Sequence, residues 1–390
     1  MTEPESTERA GKGQPTRAEN WAATMSGFGH AAGGLRTAHE TSGAKIGSIA
    51  PVLRQEREEE EDRLLAPGAT RATGAGERHR SEEPDAFRTC FERDRDRILH
   101  ATAFRRLAGK TQVFVFPADH QRTRLTHALE VAQVARAIAS ALRLNVALAE
   151  AIALGHDCGH GPGGHASEDA FTPFLQEGFD HAVFGADVAL APLNLTLAVL
   201  DGIRNHSWSR PAPHTPEGEV VSWADRIAYV CHDFEDAVSA QIVDAQELPQ
   251  MVRERCGIHR SLQLGAFIGG VISASAEAGE IAMPGELADC LGEFRRFNYE
   301  HVYLRADSTA QAKSVISVLQ GLVEYFLERP AALPAHLAAG GLEGEALARR
   351  AVGYVAGMTD RYAFDLAVER LGWPISRLPR GVDVPGARRA

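Results

Sequence analysis

The sequence ALGHDCGHGPGGHASE, residues 153–168, decides both the fold and the chemistry of this chain. An apolar segment runs into the adjacent pair His156–Asp157, and Gly155 and Gly159 bracket that pair. Neighbouring residues inside an α-helix point about 100° apart, so two such side chains can reach one ion only where the helix ends. A carboxylate that follows an apolar helix is costly to bury unless it is paired or bound to a metal. The stretch therefore predicts a helix that ends at a metal site.

The chain on both sides of this stretch has the residue spacing of α-helices. HALEVAQVARAIASAL (127–142) carries its apolar residues mostly on one face, and residues 145–154 form a second predicted helix. Alternating segments are scarce, and Gln112–Phe116 (QVFVF) is the best candidate for a strand. We therefore predict an all-α fold. Further predicted helices span residues 186–202, 222–240, 262–278, 284–303, 308–327, 342–359 and 364–371.

Composition predicts three parts along the chain. Residues 1–85 are rich in Gly, Ser, Thr, Glu and Arg, and a segment with so few large apolar residues cannot offset its ordering entropy. We expect a disordered extension there, in which the charged run 54–65 forms at most a solvated helix. A helical domain is predicted over residues 86–372, followed by a frayed tail over residues 373–390.

Charge and cysteine content exclude several classes of protein. A net charge of −11 argues against bulk attraction to nucleic acid or to an anionic membrane. We see no signal peptide and no run of the roughly 18 apolar residues that a membrane helix needs. The five cysteines show no CxxC pairing, so neither a disulfide framework nor a thiolate zinc site is expected. A cytoplasmic protein without a membrane partner fits these features.

Two more residues complete a candidate metal site. His127 opens the first long predicted helix, and Asp225 lies near the start of a later one. Each alone is better explained as a structural residue. With His156 and Asp157 they offer two imidazoles and two carboxylates, which suit a divalent ion such as Mn, Mg, Fe, Co or Ni. We therefore predict one divalent metal ion held by these four residues.

Six blocks follow one another over roughly residues 87–370. They are FRRLAGKTQVF (104–114), RTRLTHALEVAQVAR (122–136), GHDCGHGPGGHASE (155–168), GFDHA (178–182), WADRIAYVCHDFED (223–236) and GMTDRYAF (357–364). This ordered series resembles the HD superfamily and, within it, the dGTPase-like triphosphohydrolases. The resemblance implies an HD-domain helical fold with additional C-terminal helices. It also implies hydrolysis of dGTP, or of dNTPs generally, at the α-phosphorus to deoxynucleoside and inorganic triphosphate.

The resemblance assigns roles to residues in the matching blocks. It places the metal ligands at the four residues already named, and the catalytic histidine with its acidic companion at His165 and Glu168. His165 suits the protonation of the leaving 5′-oxygen, because histidine side chains in general exchange protons near neutral pH and Glu168 can orient this one. The other residues that the resemblance assigns to the substrate are His181 and Arg124 at the phosphates, Gln112 at the deoxyribose, Tyr229 at sugar or phosphate, and Asp360 and Tyr362 in the block that closes the nucleotide pocket.

Local charge supports a phosphate-binding pocket. Residues 88–124 contain nine basic and four acidic side chains within a chain that is acidic overall. Arginine suits bidentate contacts to phosphate. We predict phosphate contacts for Arg124 and Lys110. The glycine-rich loop lacks the GK[ST] of a P-loop, so an ATPase of that type is rejected.

Other positions have structural interpretations or depart from the family pattern. His160 has equal claims to support the ligands or to line the pocket, whereas His206 and the pair His232–Asp233 are interpreted as structural. Gly163 replaces the aromatic residue that usually precedes the catalytic histidine, and Arg226 stands where an acidic residue is common. These departures bear on substrate preference and rate more than on metal binding.

Two alternative functions remain open. Another HD phosphohydrolase, such as a 5′-nucleotidase or phosphodiesterase, would share the metal site but would not need Gln112, Tyr229 or the last block. A non-catalytic nucleotide-sensing or DNA-binding regulator could keep the fold. The resemblance also implies a homo-oligomer and leaves open an effector, either a nucleotide or single-stranded DNA.

Overall fold

The computed structural model describes residues 15–29, 34–117, 120–337 and 340–380. The chain forms two compact units, Met1–Pro51 and Val52–Ala390. The first unit contains helix α1 (Arg17–Thr24) and an antiparallel pair of two-residue strands, β1 (Phe28–Gly29) and β2 (Arg36–Thr37). Among the described residues these are the only strands, so the all-α prediction is confirmed.

Helices make up the second unit, and short 3₁₀ or π-helical turns join several of them. No helix among the described residues combines the length and the apolar character needed to cross a membrane. The helices are α2 (Arg54–Leu64), α3 (Cys90–His100), α4 (Thr102–Arg106), α5 (Arg124–Ala141), α6 (Val146–Gly155), α7 (Ala166–Phe171), α8 (His181–Phe184), α9 (Leu197–Asn205), α10 (Pro216–Ser239), α11 (Gln250–Cys256), α12 (Arg260–Ala278), α13 (Gly285–Asn298), α14 (Ala306–Glu328), α15 (Gly344–Ala356) and α16 (Asp360–Leu371).

Two apolar cores hold the second unit together. The larger core lies between α3, α5, α6, α9 and α10, with α11–α13 packed at one side, and it buries Ile138, Ile152 and Ile203 completely. The smaller core joins α7 to α14, α15 and α16 around Phe171 and Phe364. Each such side chain contributes about 1.5–3 kcal/mol when fully buried. The loop between α6 and α7 runs from one core to the other, and it is the histidine-rich stretch quoted above.

Helix starts differ from the predicted ones where capping residues lie outside the apolar pattern. Helix α10 begins at Pro216, six residues before its predicted start, with Thr215 as its N-cap. Proline suits the first turn because its missing N–H has no helical partner there. Asp225 therefore lies inside α10 rather than near its start. The predicted helix 186–202 is interrupted, because Asn194 adopts a left-handed conformation (φ 53°) before α9 begins.

The predicted strand at Gln112–Phe116 is wrong. This segment is an irregular loop, flanked by an isolated bridge between Thr111 and Thr123, and Phe116 has a positive φ of 52°. No neighbouring strand is present among the described residues to satisfy its backbone groups. Its apolar side chains instead enter the cores, where Phe114 and Val115 are buried.

Polar contacts attach residues 54–85 to the larger core. Glu217 at the start of α10 accepts hydrogen bonds from Thr70 N (3.0 Å), Thr70 Oγ1 (2.7 Å) and Asn145 N (2.9 Å). Glu61 of α2 accepts from Asn145 Nδ2 at 3.1 Å and from Ala72 N at 2.7 Å. The domain boundary at residue 85 stays a prediction. These contacts show that residues before this boundary also pack on the helical unit. Of the predicted frayed tail, residues 381–390 lie outside the described residues.

Candidate active site

Four side chains predicted as metal ligands converge where α6 ends. His156 and Asp157 directly follow Gly155, the last residue of α6, while His127 comes from the first turn of α5 and Asp225 from α10. One potential ligand atom from each of His127, His156 and Asp225 lies within 4.8 Å of the others. Asp225 Oδ1 is 3.1 Å from His127 Nε2 and 3.7 Å from His156 Nε2, and Asp157 Oδ1 is 3.4 Å from His156 Nε2.

The hydrogen bond of His156 prepares its ring for a metal. Its Nδ1 lies 2.6 Å from the carbonyl oxygen of Ala153, and an N–H donated there would leave Nε2 as the atom that can bind a metal. His156 Nε2 is buried and has no hydrogen-bond partner among the described residues. An orphaned lone pair beside two carboxylates fits a divalent cation.

Charge around the cluster keeps the two carboxylates ionised. Burial raises the pKa of Asp157, but Arg124 and then His156 outweigh it, so the pKa lies well below its usual value. Arg124 NH1 donates to Asp157 Oδ2 at 2.6 Å. Burial likewise opposes ionisation of Asp225, and its hydrogen bond with His127 lowers its pKa overall. Both groups therefore carry the charge that metal ligands need.

Arg124 has hydrogen-bond donors without a partner in the described structure. Its side chain is almost completely buried, yet Nε and NH2 have no hydrogen-bond partner in the described structure. A buried guanidinium with free donors is costly unless an anion approaches it. Arg124 is therefore suited to bind a phosphate beside the metal cluster.

Glu168 in α7 joins the two histidines predicted to act in catalysis. Its Oε2 lies 3.0 Å from His165 Nδ1, and its Oε1 lies 2.7 Å from His181 Nδ1. Burial raises the pKa of Glu168, but the hydrogen bonds from His165 and His181 lower it far more. Burial lowers the pKa of His181, and Glu168 reverses that effect and raises it overall. The His165 side chain is 74% exposed, which leaves its Nε2 edge open to a substrate.

His206 belongs to the site, although its sequence context suggested only a structural role. Its Nδ1 donates to the carbonyl oxygen of Ile203 at 2.8 Å, and its Nε2 lies 3.3 Å from His181 Nε2. Its ring centroid is 5.0 Å from that of His156. Burial, followed by the charges of His156 and His181, lowers the pKa of His206 to about 3. His206 thus connects the metal cluster to the Glu168 pair in neutral form.

His160 also lies within the site. Its ring stacks on His181 with centroids 3.7 Å apart, and its Nε2 lies 3.2 Å from Asp157 Oδ1 without hydrogen-bond geometry. The glycine at position 159 permits this packing, since a Cβ there would lie 1.9 Å from the carbonyl oxygen of His181. The glycine-rich loop is therefore shaped by the approach of α8.

Apart from His156, these side chains line one cavity of about 620 Å³. Its wall also contains Asp233, which the sequence interpretation treated as structural. Asp233 Oδ2 accepts from Tyr303 at 2.6 Å, its Oδ1 has no partner among the described residues, and burial raises its pKa to about 7. Gln112 Oε1 is likewise buried without a partner there. The predicted site residues that line the cavity are Gln112, Arg124, His127, Asp157, His165, Glu168, His181, Asp225 and Tyr229.

Three predicted substrate contacts do not line this cavity. The Lys110 ammonium is buried and donates to the carbonyl oxygens of His160 and, at 3.0 Å, of Ala356. The ammonium group thereby links the glycine-rich loop to the end of α15 in the smaller core. Burial lowers the pKa of Lys110 to about 8. Tyr362 is half exposed, and its hydroxyl lies 3.1 Å from that of Tyr354.

Asp360, the third of these residues, acts on the loops around the cavity. Its Oδ1 accepts from Gly163 N at 2.8 Å, and its Oδ2 accepts from Thr111 N at 3.0 Å and Thr111 Oγ1 at 2.5 Å. Asp360 therefore holds Thr111, next to Gln112, and Gly163, two residues before His165. It supports the site without entering it.

The departure at Arg226 adds a cation to the cavity. Its NH1 lies 3.5 Å from Asp225 Oδ2, and its guanidinium lies over the rings of Trp208 (5.0 Å) and Tyr229 (5.7 Å). Arg295 of α13 donates to the Tyr229 hydroxyl at 2.7 Å. Sequence spacing gave no sign that Arg295, some seventy residues after Asp225, would reach this wall.

Family models match the two parts of the chain that build this site. The HD domain matches residues 124–230, and the phosphohydrolase-associated domain matches residues 281–369. The first match contains all four predicted metal ligands. Fold and site together define an HD-domain protein of the phosphohydrolase class.

Similar proteins show to which family of HD-domain phosphohydrolases the chain belongs. A deoxyguanosinetriphosphate triphosphohydrolase-like protein of Caldanaerobacter subterraneus subsp. tengcongensis is 41% identical over 80% of this chain and 93% of its own length. Proteins of the same description match from Clostridium perfringens strain 13 (42%; 73% and 87%) and, as protein 1, from Deinococcus radiodurans (36%; 80% and 97%). The chain belongs to the deoxyguanosinetriphosphate triphosphohydrolase-like family, which confirms the resemblance read from its sequence.

Proposed function

We propose that this protein hydrolyses deoxynucleoside triphosphates, dGTP or dNTPs in general, at the α-phosphorus. The products are a deoxynucleoside and inorganic triphosphate. The observation that carries the proposal is that three of the four proposed metal ligands, His127, Asp157 and Asp225, line the same cavity as the Glu168–His165 pair. The descriptions of the relatives name the same reaction class and support it.

One divalent ion would be held by His127, His156, Asp157 and Asp225. Mn, Mg, Fe, Co and Ni all suit this mixture of imidazole and carboxylate. Such an ion lowers the pKa of a coordinated water and polarises phosphoryl oxygens. The ionised state of both carboxylates and the orphaned Nε2 of His156 support this assignment.

Three arginines provide for the negative charge of the substrate. Arg124 offers its two free donors next to Asp157 and would contact the phosphate that reacts. Arg226 and Arg295 line the same cavity, and no carboxylate among the described residues lies within ion-pair distance of Arg295. They would bind the remaining phosphates of the chain, since guanidinium groups match phosphate oxygens bidentately.

His165 would protonate the leaving 5′-oxygen. Glu168 accepts a hydrogen bond from His165 Nδ1, which fixes the ring and directs Nε2 away from the carboxylate. The same carboxylate holds His181, whose raised pKa favours a cation beside the reacting phosphate. Loss of the proton from His165 Nε2 to the 5′-oxygen completes the departure of the deoxynucleoside.

Unpartnered acceptors in the wall suit the sugar. Gln112 Oε1 and Asp233 Oδ1 are buried without donors among the described residues, so a hydroxyl of the deoxyribose would satisfy them. Tyr229 and Tyr303 supply flat surfaces beside these groups. A site that hydrogen-bonds a hydroxyl discriminates strongly against analogues that lack it.

Product analysis tests the proposal. The purified full chain is incubated with each dNTP and with Mn or Mg, and the products are resolved by chromatography. Deoxynucleoside and triphosphate in equal amounts support it, whereas release of orthophosphate or pyrophosphate defeats it in favour of another phosphohydrolase. Binding without turnover, with every candidate metal supplied, indicates a regulator.

In the same experiment, the variant Asp157→Ala tests whether Asp157 is a metal ligand. It should lose both bound metal and turnover. Asp307→Ala removes a carboxylate that is 74% exposed and should retain both. The expected homo-oligomer, and an effector that is a nucleotide or single-stranded DNA, stay predictions.

A further inference from the structure

One part of the cavity lining has no role in the reaction as proposed. It includes one face of α14, because side chains three or four residues apart lie on the same side of a helix. We call this surface the α14 face, and it consists of Ser308, Gln311, Ala312 and Val315. Val113, Phe114 and Val115, which follow Gln112 in the chain, line the cavity as well. These residues are mostly apolar and suit the flat ring of a nucleobase.

Two polar side chains belong to the α14 face, and only one has a donor left. The Ser308 hydroxyl donates to the carbonyl oxygen of Val302 at 3.0 Å. Gln311 accepts a hydrogen bond at Oε1, from the backbone N–H of Arg380 at 2.8 Å. Its Nε2 has no hydrogen-bond partner among the described residues, and an amide nitrogen can only donate. Gln311 therefore presents a fixed donor to the cavity lining.

The segment that holds Gln311 comes from the C-terminal end of the described chain. A Cβ added at Gly321 of α14 would lie 3.6 Å from the Trp373 ring. Ser314 Oγ donates to the carbonyl oxygen of Arg377 at 2.5 Å. Residues 373–380 thus follow α14 back from Gly321 to Gln311, where the helix meets the cavity. We call these residues the C-terminal segment.

We propose that Gln311 selects the nucleobase of the substrate and that the C-terminal segment positions Gln311 for this task. The inference rests on the proposed function, since it takes the ligand of the cavity to be a deoxynucleotide. The sugar would bind at Gln112 and Asp233, so a base attached to it reaches the residues next to Gln112 and the α14 face. A few placed polar groups in an apolar pocket are the usual source of specificity.

A fixed donor distinguishes keto bases from amino bases. Guanine and thymine carry an exocyclic oxygen that accepts, whereas adenine and cytosine carry an amino group that donates at the corresponding ring position. The exocyclic group projects beyond the ring and is the first that a side chain at the base edge meets. A keto oxygen would accept from Gln311 Nε2, but an amino group would leave two donors unpaired. The preferred substrates are therefore 6-keto purine and 4-keto pyrimidine nucleotides.

Two matched pairs of nucleotides test this selection. The bases of dITP and dATP differ only by a keto or an amino group at position 6, with the proton that accompanies the keto form. The bases of dUTP and dCTP differ in the same way at position 4. For the full chain, kcat/KM should favour the keto member of each pair by about ten-fold, the effect of one unpaired hydrogen bond. The ratio cancels differences in folding and in bound metal, which act on both members equally.

Substitutions at position 311 should change these ratios in opposite directions. Gln311→Met removes the donor at similar length and should bring both ratios close to one. Gln311→Glu keeps an acceptor for the N–H of Arg380 but presents a second acceptor to the base, so it should favour dATP and dCTP. Gln320→Met is the matched control, because Gln320 is also a glutamine of α14 and does not line the cavity. It should keep the wild-type ratios.

Position 380 tests the role of the C-terminal segment. Arg380→Pro removes the N–H that holds Gln311 Oε1, so the amide is free to turn and both ratios should fall. Arg380→Ala keeps this N–H and removes only an exposed side chain, and it should retain the wild-type ratios. A purely structural role of the segment would instead lower kcat/KM of Arg380→Pro for all four nucleotides by the same factor.

The inference is overturned if the wild-type ratios lie near one, or if Gln311→Met keeps them. Calorimetric titration of wild type with the same four nucleotides in EDTA separates it from the proposed function. A keto preference in binding without release of triphosphate would defeat only the proposed function. Release of triphosphate from all four nucleotides at equal efficiency would defeat only the selection by Gln311.

Discussion

Glu168 fixes two imidazoles with its two oxygens, and this arrangement decides how the site handles protons. His165 faces outward from one oxygen, and His181 is held inside by the other. A neutral side chain at position 168 would keep one hydrogen bond but remove the charge that raises the pKa of His181. The carboxylate therefore matters through its charge as well as its shape.

Glu168→Gln should lower kcat by about 10²–10⁴-fold, the usual contribution of a positioned acid or base. Bound metal should remain at the wild-type level, because Glu168 is not among the four proposed ligands. Steady-state rates together with metal analysis of the purified variant check this. Loss of metal together with activity would instead make Glu168 part of the ligand set.

Asp233 gives the free energy of unfolding a specific pH dependence. Its pKa is about 7 in the folded protein against 3.8 ordinarily. Between these values the folded protein holds a proton that the unfolded chain has released. Stability from this group is therefore highest at low pH and declines as the pH rises through that window, by about 1.4 kcal/mol for each pKa unit.

Asp233→Asn cannot titrate, so its stability relative to wild type should increase as the pH rises from about 4 to about 7. Urea unfolding of both metal-free proteins across this range measures the difference. The amide oxygen introduced by this substitution can still accept from Tyr303, which keeps the packing comparable. Parallel pH profiles for the two proteins would show that Asp233 is ionised in the fold.

Residue chemistry makes part of the site predictable from the sequence. A buried His–Asp pair at a helix end has few explanations, so His156 and Asp157 indicate a metal, and the ordered blocks supply His127 and Asp225. The sequence does not reveal which charged side chains already have partners within the protein. Lys110 and Arg124 are both cationic residues in the sequence, yet Lys110 binds carbonyl oxygens instead of lining the cavity.

At the scale of elements, the glycine-rich loop is held between two helices. Gly163 has a φ of 74°, its N–H donates to Asp360 of α16, and a Cβ there would lie 2.3 Å from Val315 Cγ1 of α14. A residue with a side chain would meet both backbone strain and a collision. The absence of an aromatic residue at this position follows from the close approach of α14.

Gly163→Ala should destabilise the protein by roughly 1–3 kcal/mol from backbone strain, with more from the collision. It should also reduce turnover by displacing His165. Val315→Ala should relieve only the steric part, so the double variant should recover a share of stability in a double-mutant cycle. Additive losses would mean that the loop moves freely away from α14.

Glu217 attaches the segment after α2 to the larger core. It is fully buried and accepts three hydrogen bonds from Thr70 and Asn145. Glu217→Ala leaves buried donors without an acceptor and should cost about 3 kcal/mol or more. Thr70→Val removes only one of the three and should cost about 1 kcal/mol. Thermal unfolding measures both, and equal small losses would mean that residues 65–85 are held in other ways.

Elements differ in how well the sequence predicts them. Helices α5 and α6 were predicted within three residues, because their apolar period is long and unbroken. Gln112–Phe116 was misread because alternation indicates a strand only where a partner strand exists, which is a property of the whole fold. The contacts of residues 54–85 escaped prediction because they use buried carboxylates and alanines rather than large apolar side chains.

At the scale of the whole molecule, the site lies where two cores meet. The metal ligands come from the helices of the larger core, whereas His165 and Glu168 belong to the loop and helix that pack on α14 in the smaller one. Motion of one core relative to the other would change the distance between metal and proton donor. Lys110 and Asp360 make hydrogen bonds between the two, and these bonds oppose such a motion.

A bound metal should stabilise the fold as a whole. Its outermost ligands, His127 and Asp225, are 98 positions apart in the sequence and come together only in the folded chain. A ligand that binds only the folded state at 100 times its Kd adds about 2.7 kcal/mol of stability. Scanning calorimetry with Mn²⁺ and with EDTA should therefore show a higher Tm with the metal for wild type and for Asp307→Ala. Asp157→Ala should show no difference. If Mn²⁺ raised the Tm of Asp157→Ala by the same amount, the ion would be held by other groups, among which His160, His165 and His181 lie close enough together to bind it.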